Sequence, residues 1–123
     1  MDDKIASFIG MPYSLRGYNC YDHAAAIRKA FGVKTRLFRV GSLKDAYKTI
    51  TAQMQKIDNG LSKVDKPKNL DIVIAHTNKL GFTEYHCGVY FDGGVSHCRR
   101  GGSSTHQPYN EFIKDFEGVT FWR

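Results

Sequence analysis

Five side chains stand out as able to attack a carbon, carry a proton or bind a metal ion, and they fall in two places. Cys20 stands alone near the start, while His86, Cys87, His97 and Cys98 share the stretch EYHCGVYFDGGVSHCRR at 84–100. Two His-Cys pairs around an Asp-Gly-Gly turn admit three chemistries. They could form a tetrahedral zinc cage, a disulfide clip, or the basic half of a site whose thiol nucleophile lies elsewhere. Three cysteines is an odd number, so at least one stays outside any intramolecular disulfide framework.

The strands that must carry these residues separate the possibilities. Asp92-Gly93 between two apolar runs predicts a two-residue type I′ hairpin. With those two residues as the loop, Phe91 pairs with Gly94, Gly88 with His97 and Cys87 with Cys98. Gly93-Gly94 as the loop would shift the pairing but keep the same division of faces, and a three-residue loop with a bulge would break it. Side chains alternate faces along a strand, so His86, Gly88 and His97 share one face and the two cysteines the other. One tetrahedral ion cannot collect ligands from both faces of a sheet, which argues against a metal. Cys87 and Cys98 read instead as small apolar residues packed side by side. His86 and His97 are diagonal neighbours on their face, and Gly88 leaves space there for another element to come close. Such a pair suits a general base and its orienting group, and it lacks only a nucleophile.

Cys20 is the candidate. In NCYDHAAAIRKAFG, Asn19 is a good N-cap, Asp22 places a negative charge in the first turn, and Gly32 can end the helix. Cys20, Ala24, Ile27 and Phe31 recur on one face of that helix. A thiol at a helix N-terminus is expected to have a lowered pKa. If the helix lays its Cys20 face on the histidine face of the sheet, thiolate, base and orienting group come together. His23, beside Asp22, reads as solvent-facing, His76 as a strand end, and His106 as part of a Gly/Ser loop; none is given a chemical role.

The remaining elements form one domain over 1–123. SLKDAYKTITAQMQKIDNG predicts a second helix between Ser42 and Asn59. The period then changes to two in LDIVIAH (70–76), YHCGVYF (85–91), GVSHCR (94–99) and GVTFW (118–122), with EFIKDF (111–116) a short helical turn. CRRGGSSTHQPY after His97 reads as a flexible basic loop. Helices first and a meander of strands afterwards predict an α+β fold, with the cysteine helix packed on an antiparallel sheet.

Composition excludes several classes. Hydrophobic and charged fractions of 41% and 24% are those of a soluble globular chain, and no apolar run approaches a membrane span. MDDKIASFIG lacks the basic and apolar regions of a secretory signal, so synthesis in the cytoplasm is expected. A net charge of +6 favours polyanionic contacts, yet the basic residues are spread out and no nucleic-acid-binding pattern occurs.

Taken together, GMPYSLRGYNCYDHAAAIRKAFGV, NLDIVIAH and HCGVYFDGGVSHC resemble the NlpC family of papain-like cysteine peptidases, most of all its bacteriophage tail-associated branch. The likeness runs in outline over 9–100, interrupted by the helix at 42–59. Asn19 stands where the family usually has Asp, Asp22 where a small residue is common, and Leu70 where a strand begins with Gly. The resemblance implies a papain-like fold with Cys20 as nucleophile, His86 as general base and His97 as the group orienting it. It also implies Tyr13 beside the oxyanion, with the Cys20 N–H contributing. No cofactor is implied. The substrate would be the peptidoglycan stem peptide, the partners phage tail proteins, and the place of action the virion or the cell wall. A non-catalytic tail-tip or wall-binding descendant of the same fold is the rival expectation. A thiol acyltransferase of the same superfamily is a third, disfavoured because the cysteine precedes the histidines.

Overall fold

The structure, a computed structural model, describes residues 2–15, 17–35, 61–79 and 81–123. The helix expected at 42–59 lies outside the described residues.

A short helix α1 (Asp3–Ala6) opens the chain, capped by the Asp2 carboxylate on the Lys4 N–H, and it buries Ile5 completely. Helix α2 (Cys20–Ala30) begins where the sequence predicts, because its first turn satisfies its own orphan donors. The Asn19 side chain accepts from the N–H groups of Tyr21 and Asp22, and the Asp22 carboxylate accepts from the Asn19 N–H. Gly32, at a φ of +82°, ends it in the left-handed conformation that glycine adopts without strain.

The strands are β1 (Lys63–Val64), β2 (Ile72–Lys79), β3 (Phe82–Phe91), β4 (Gly94–Cys98), β5 (Ser104–Pro108) and β6 (Gly118–Trp122). They form one sheet in the order β1-β6-β2-β3-β4-β5, antiparallel throughout. The α+β class expected from the sequence is therefore what the described residues form. A short helix α3 (Tyr109–Phe112) and a 3-10 turn (Ile113–Asp115) link β5 to β6, in agreement with the turn expected at 111–116.

The hairpin forms in the predicted register. Asp92 and Gly93 both have positive φ, and the ladder pairs Phe91 with Gly94 and Gly88 with His97. It ends there: Cys98 pairs with Ser104 on its other side, so the expected Cys87–Cys98 cross-strand pair does not form. All three cysteines are free thiols. The basic segment after His97 is corrected too. Arg99–Ser103 make a tight turn, and Ser104–Pro108 continue as β5, which carries no apolar alternation to announce it.

The sheet is covered on both faces. Cys20, Tyr21, Ala24 and Ile27 of α2 pack with Ile5, Ile72, Ile74, Cys87, Val89, Phe91 and Trp122. On the other face Val73, Ala75 and Val95 pack under Phe112, flanked by Ile113, Phe116 and Tyr109. Helix α2 thus covers the cysteine face, not the histidine face as expected. The reason is in β3: Cys87, Val89 and Phe91 give the helix an apolar floor, whereas the opposite face offers His86, Gly88 and Tyr90.

Candidate active site

Cys20 is the first residue of α2 and is 8% exposed. Burial pushes its thiol up to about 11, opposed by backbone N–H groups of Cys87, Cys20 and Tyr21 that face the sulfur. The lowered pKa expected from the helix start is therefore overturned, since desolvation outweighs the donors.

The Cys87 N–H locates the sulfur. Tyr90 directs both its N–H and its C=O at the β2 side, to the Asp71 carbonyl at 2.9 Å and the Leu70 N–H at 2.8 Å. Backbone groups alternate sides along a strand, so those of Cys87 point toward β4. The β3–β4 ladder has already ended at Gly88 and His97, and the donor freed there meets Cys20 instead. Cys20 packs with the body of α2 on the face of Cys87, Val89 and Phe91, near the notch where β3 and β4 part.

The imidazoles lie on the opposite face of the sheet from Cys20, against Phe112 and Phe116, paired with each other. His86 Nε2 and His97 Nδ1 are 2.9 Å apart, and His97 Nε2 is 2.8 Å from Gln107 Oε1. The Gln107 oxygen accepts, so His97 carries its proton on Nε2 and accepts from His86 through Nδ1. This assignment leaves the basic lone pair of His86 on Nδ1. The His86 ring stacks on Phe116 at 5.7 Å, and the His97 ring meets Phe112 edge-on at 4.9 Å. Burial holds His86 well below the usual imidazole range, helped by His97, and lowers His97 to about 4. Both rings are neutral near pH 7.

Tyr13, half-buried, is anchored by its N–H to the Gly102 carbonyl at 3.0 Å, and Pro12 bridges to Ser103. Burial raises its phenol, and so would a thiolate at Cys20, whereas Arg100 opposes the shift. Tyr13 thus stands within electrostatic reach of the thiol.

Two histidines depart from expectation. His23 is fully buried rather than solvent-facing, bonded to Tyr18 and Ser96. His106 lies in β5, half-buried, not in a loop. His76 sits within β2 opposite Tyr85. Sequence reasoning missed Gln107, because a polar strand gives no periodic signal, and missed Ser96 behind the more reactive types beside it. Among the described residues, no group of three His, Cys, Asp or Glu side chains is placed to hold a metal ion, and no helix is long and apolar enough to cross a membrane.

The arrangement offers a thiol at a helix start facing backbone donors, and on the opposite face of the sheet an imidazole pair fixed in one tautomer. Compared with models of known protein families the chain matches none, and it matches no curated protein.

Proposed function

We propose that this chain is an NlpC-like cysteine peptidase or amidase with a papain-like arrangement, hydrolysing peptide bonds of peptidoglycan stems through an acyl-enzyme on Cys20. The observation that carries the reading is the buried His86–His97 pair, 2.9 Å apart, with Gln107 holding the second ring. Cys20 opens the helix that packs on the opposite face of the same strand, against Cys87, the residue after His86.

The chemistry starts from a neutral pair. In this reading the Cys20 sulfur attacks the amide carbon while its proton passes to His86 Nδ1, and His97 holds the imidazolium that forms. The transfer requires the thiol and the ring, which lie on opposite faces of the sheet, to meet at the notch. The Cys20 N–H and the Tyr13 hydroxyl stabilise the oxyanion. The amine departs with the proton from His86, leaving a thioester. Water then attacks the thioester, giving a proton to His86, which returns it to the departing sulfur as the carboxylate leaves. The resemblance to the tail-associated branch supports a phage or prophage origin, with tail proteins as partners and delivery to the cell wall.

Incubation of the purified protein with muropeptides, read by mass spectrometry, tests this. Stem cleavage that Cys20→Ala abolishes without unfolding is the expected result. Intact muropeptides of every stem type, with Cys20 unreactive toward iodoacetamide, would overturn the reading.

One observation favours a second reading, a non-catalytic tail-tip or wall-binding module: the thiol is almost fully buried and pushed up to about 11. Iodoacetamide separates the two. Labelling of Cys20 ahead of Cys87 and Cys98 near neutral pH, lost in His86→Ala, marks a base-activated nucleophile. Slow labelling of all three at one rate marks the binder.

A further inference from the structure

His23 is buried to 0% exposure in the first turn of α2, three residues after Cys20, and both its ring nitrogens are engaged. Its Nδ1 is 2.7 Å from the Tyr18 hydroxyl, in the loop leading to Cys20. Its Nε2 is 2.9 Å from the Ser96 hydroxyl, on β4 directly before His97. Phe8 and Tyr18 meet the ring edge-on at 6.4 and 5.6 Å.

A buried polar side chain costs free energy unless its partners are well placed, and an apolar residue would fill the same core position without that cost. What the imidazole adds is direction. It joins three segments that must agree for the notch to work: the loop entering Cys20, the first turn of α2, and the strand that carries His97. Elsewhere α2 is held to the sheet by apolar contacts, which resist separation better than sliding. At the N-terminus a slide of 1 Å would take the sulfur off the Cys87 N–H.

We infer that His23 is a positioning residue, which through Tyr18 and Ser96 sets the first turn of α2 against β4 and so holds the Cys20 sulfur in register with the His86–His97 pair. The inference rests on the peptidase reading for its catalytic consequence, but its structural core stands apart from it. His23 touches neither substrate nor reacting atoms and acts through Cys20.

The test removes the polar clamp while keeping the core filled. His23→Phe alone strands two hydroxyls and could fail to fold, so it is combined with Tyr18→Phe and Ser96→Ala. The triple variant is expected to melt cooperatively near the wild-type temperature. Its kcat on muropeptides should fall about a hundredfold at unchanged KM, the scale on which 1 Å misplacements act. His23→Gln, which keeps a donor for Ser96, should recover part of the loss. Amide hydrogen exchange should quicken at Cys20–His23 and stay unchanged over the rest of α2. A folded triple variant with wild-type kcat and wild-type exchange in that turn overturns the inference. If the wild type cleaves no stem peptide, the peptidase reading fails, and the exchange pattern alone decides for or against the clamp.

Discussion

His97 accepts a proton from one ring and donates one to an amide, and His23 has a polar partner on each nitrogen. An imidazolium has no lone pair to accept with, so the His97 site suits a neutral ring. The two hydroxyls beside His23 can accept from either form, and there burial sets the direction. Burial works in the same direction, lowering His23 and His97 to about 4 and His86 well below its usual range. The sign of the linkage follows. Between the folded values and the unfolded value near 6.5, the unfolded chain binds more protons, so stability rises with pH there. The contribution is complete above about pH 6.5 and is lost as pH falls toward about 4. Thermal melts should show a plateau near neutrality and a fall in Tm below pH 6.5. A Tm flat from pH 7 to 4 would contradict the buried neutral rings.

Among the elements, α2 and the β3–β4 hairpin form where local chemistry asks for them, and β2 begins with a conflict. Leu70 has a φ of +77°, a conformation that costs a residue with a Cβ about 1–2 kcal/mol. It is held there by its N–H on the Tyr90 carbonyl at 2.8 Å and by packing against the α2-side core. A glycine at this position would adopt the same φ without strain. Leu70→Gly relieves the backbone and gives up a partly buried side chain. The two effects are similar in size, so the net change in the urea unfolding midpoint should be small, within about 1 kcal/mol. Leu70→Val, β-branched in the same conformation, should be clearly destabilising. Equal midpoints for the Val variant and wild type would show that the turn relaxes.

At the scale of the whole molecule, a single sheet separates two cores, and the candidate site is proposed beside the point where β3 and β4 part. Close approach of β3 and β4 up to that point depends on Gly88. A Cβ there would lie 2.6 Å from Val95 Cγ1, 2.9 Å from the Ser96 carbonyl and 3.2 Å from His97 Cβ. Gly88→Ala should push β4 outward, costing about 1–3 kcal/mol in stability. It should also cut turnover more than the loss of folded protein explains, because His97 and Ser96 move together. Wild-type turnover per folded molecule would show that the ladder end is not what aligns the site.

The sequence by itself determined whatever local rules govern. The cap and stop of α2, the type I′ turn and its register, the shared face of His86 and His97 and the separate face of Cys87 follow from neighbouring residue types and period. It also indicated Cys20 as the thiol to watch. Three things were decided only by the tertiary structure. Helix α2 covers the cysteine face, because burial is settled by which face offers more apolar area to the elements available. The ladder stops at Gly88–His97, while β4 stays paired as far as Cys98 with β5, whose polar sequence carries no strand signal. His23 is buried and Cys20 has its thiol raised, because desolvation depends on what packs around a group and not on its neighbours in sequence. Thiol and imidazoles thus lie on opposite faces of the sheet rather than together on one.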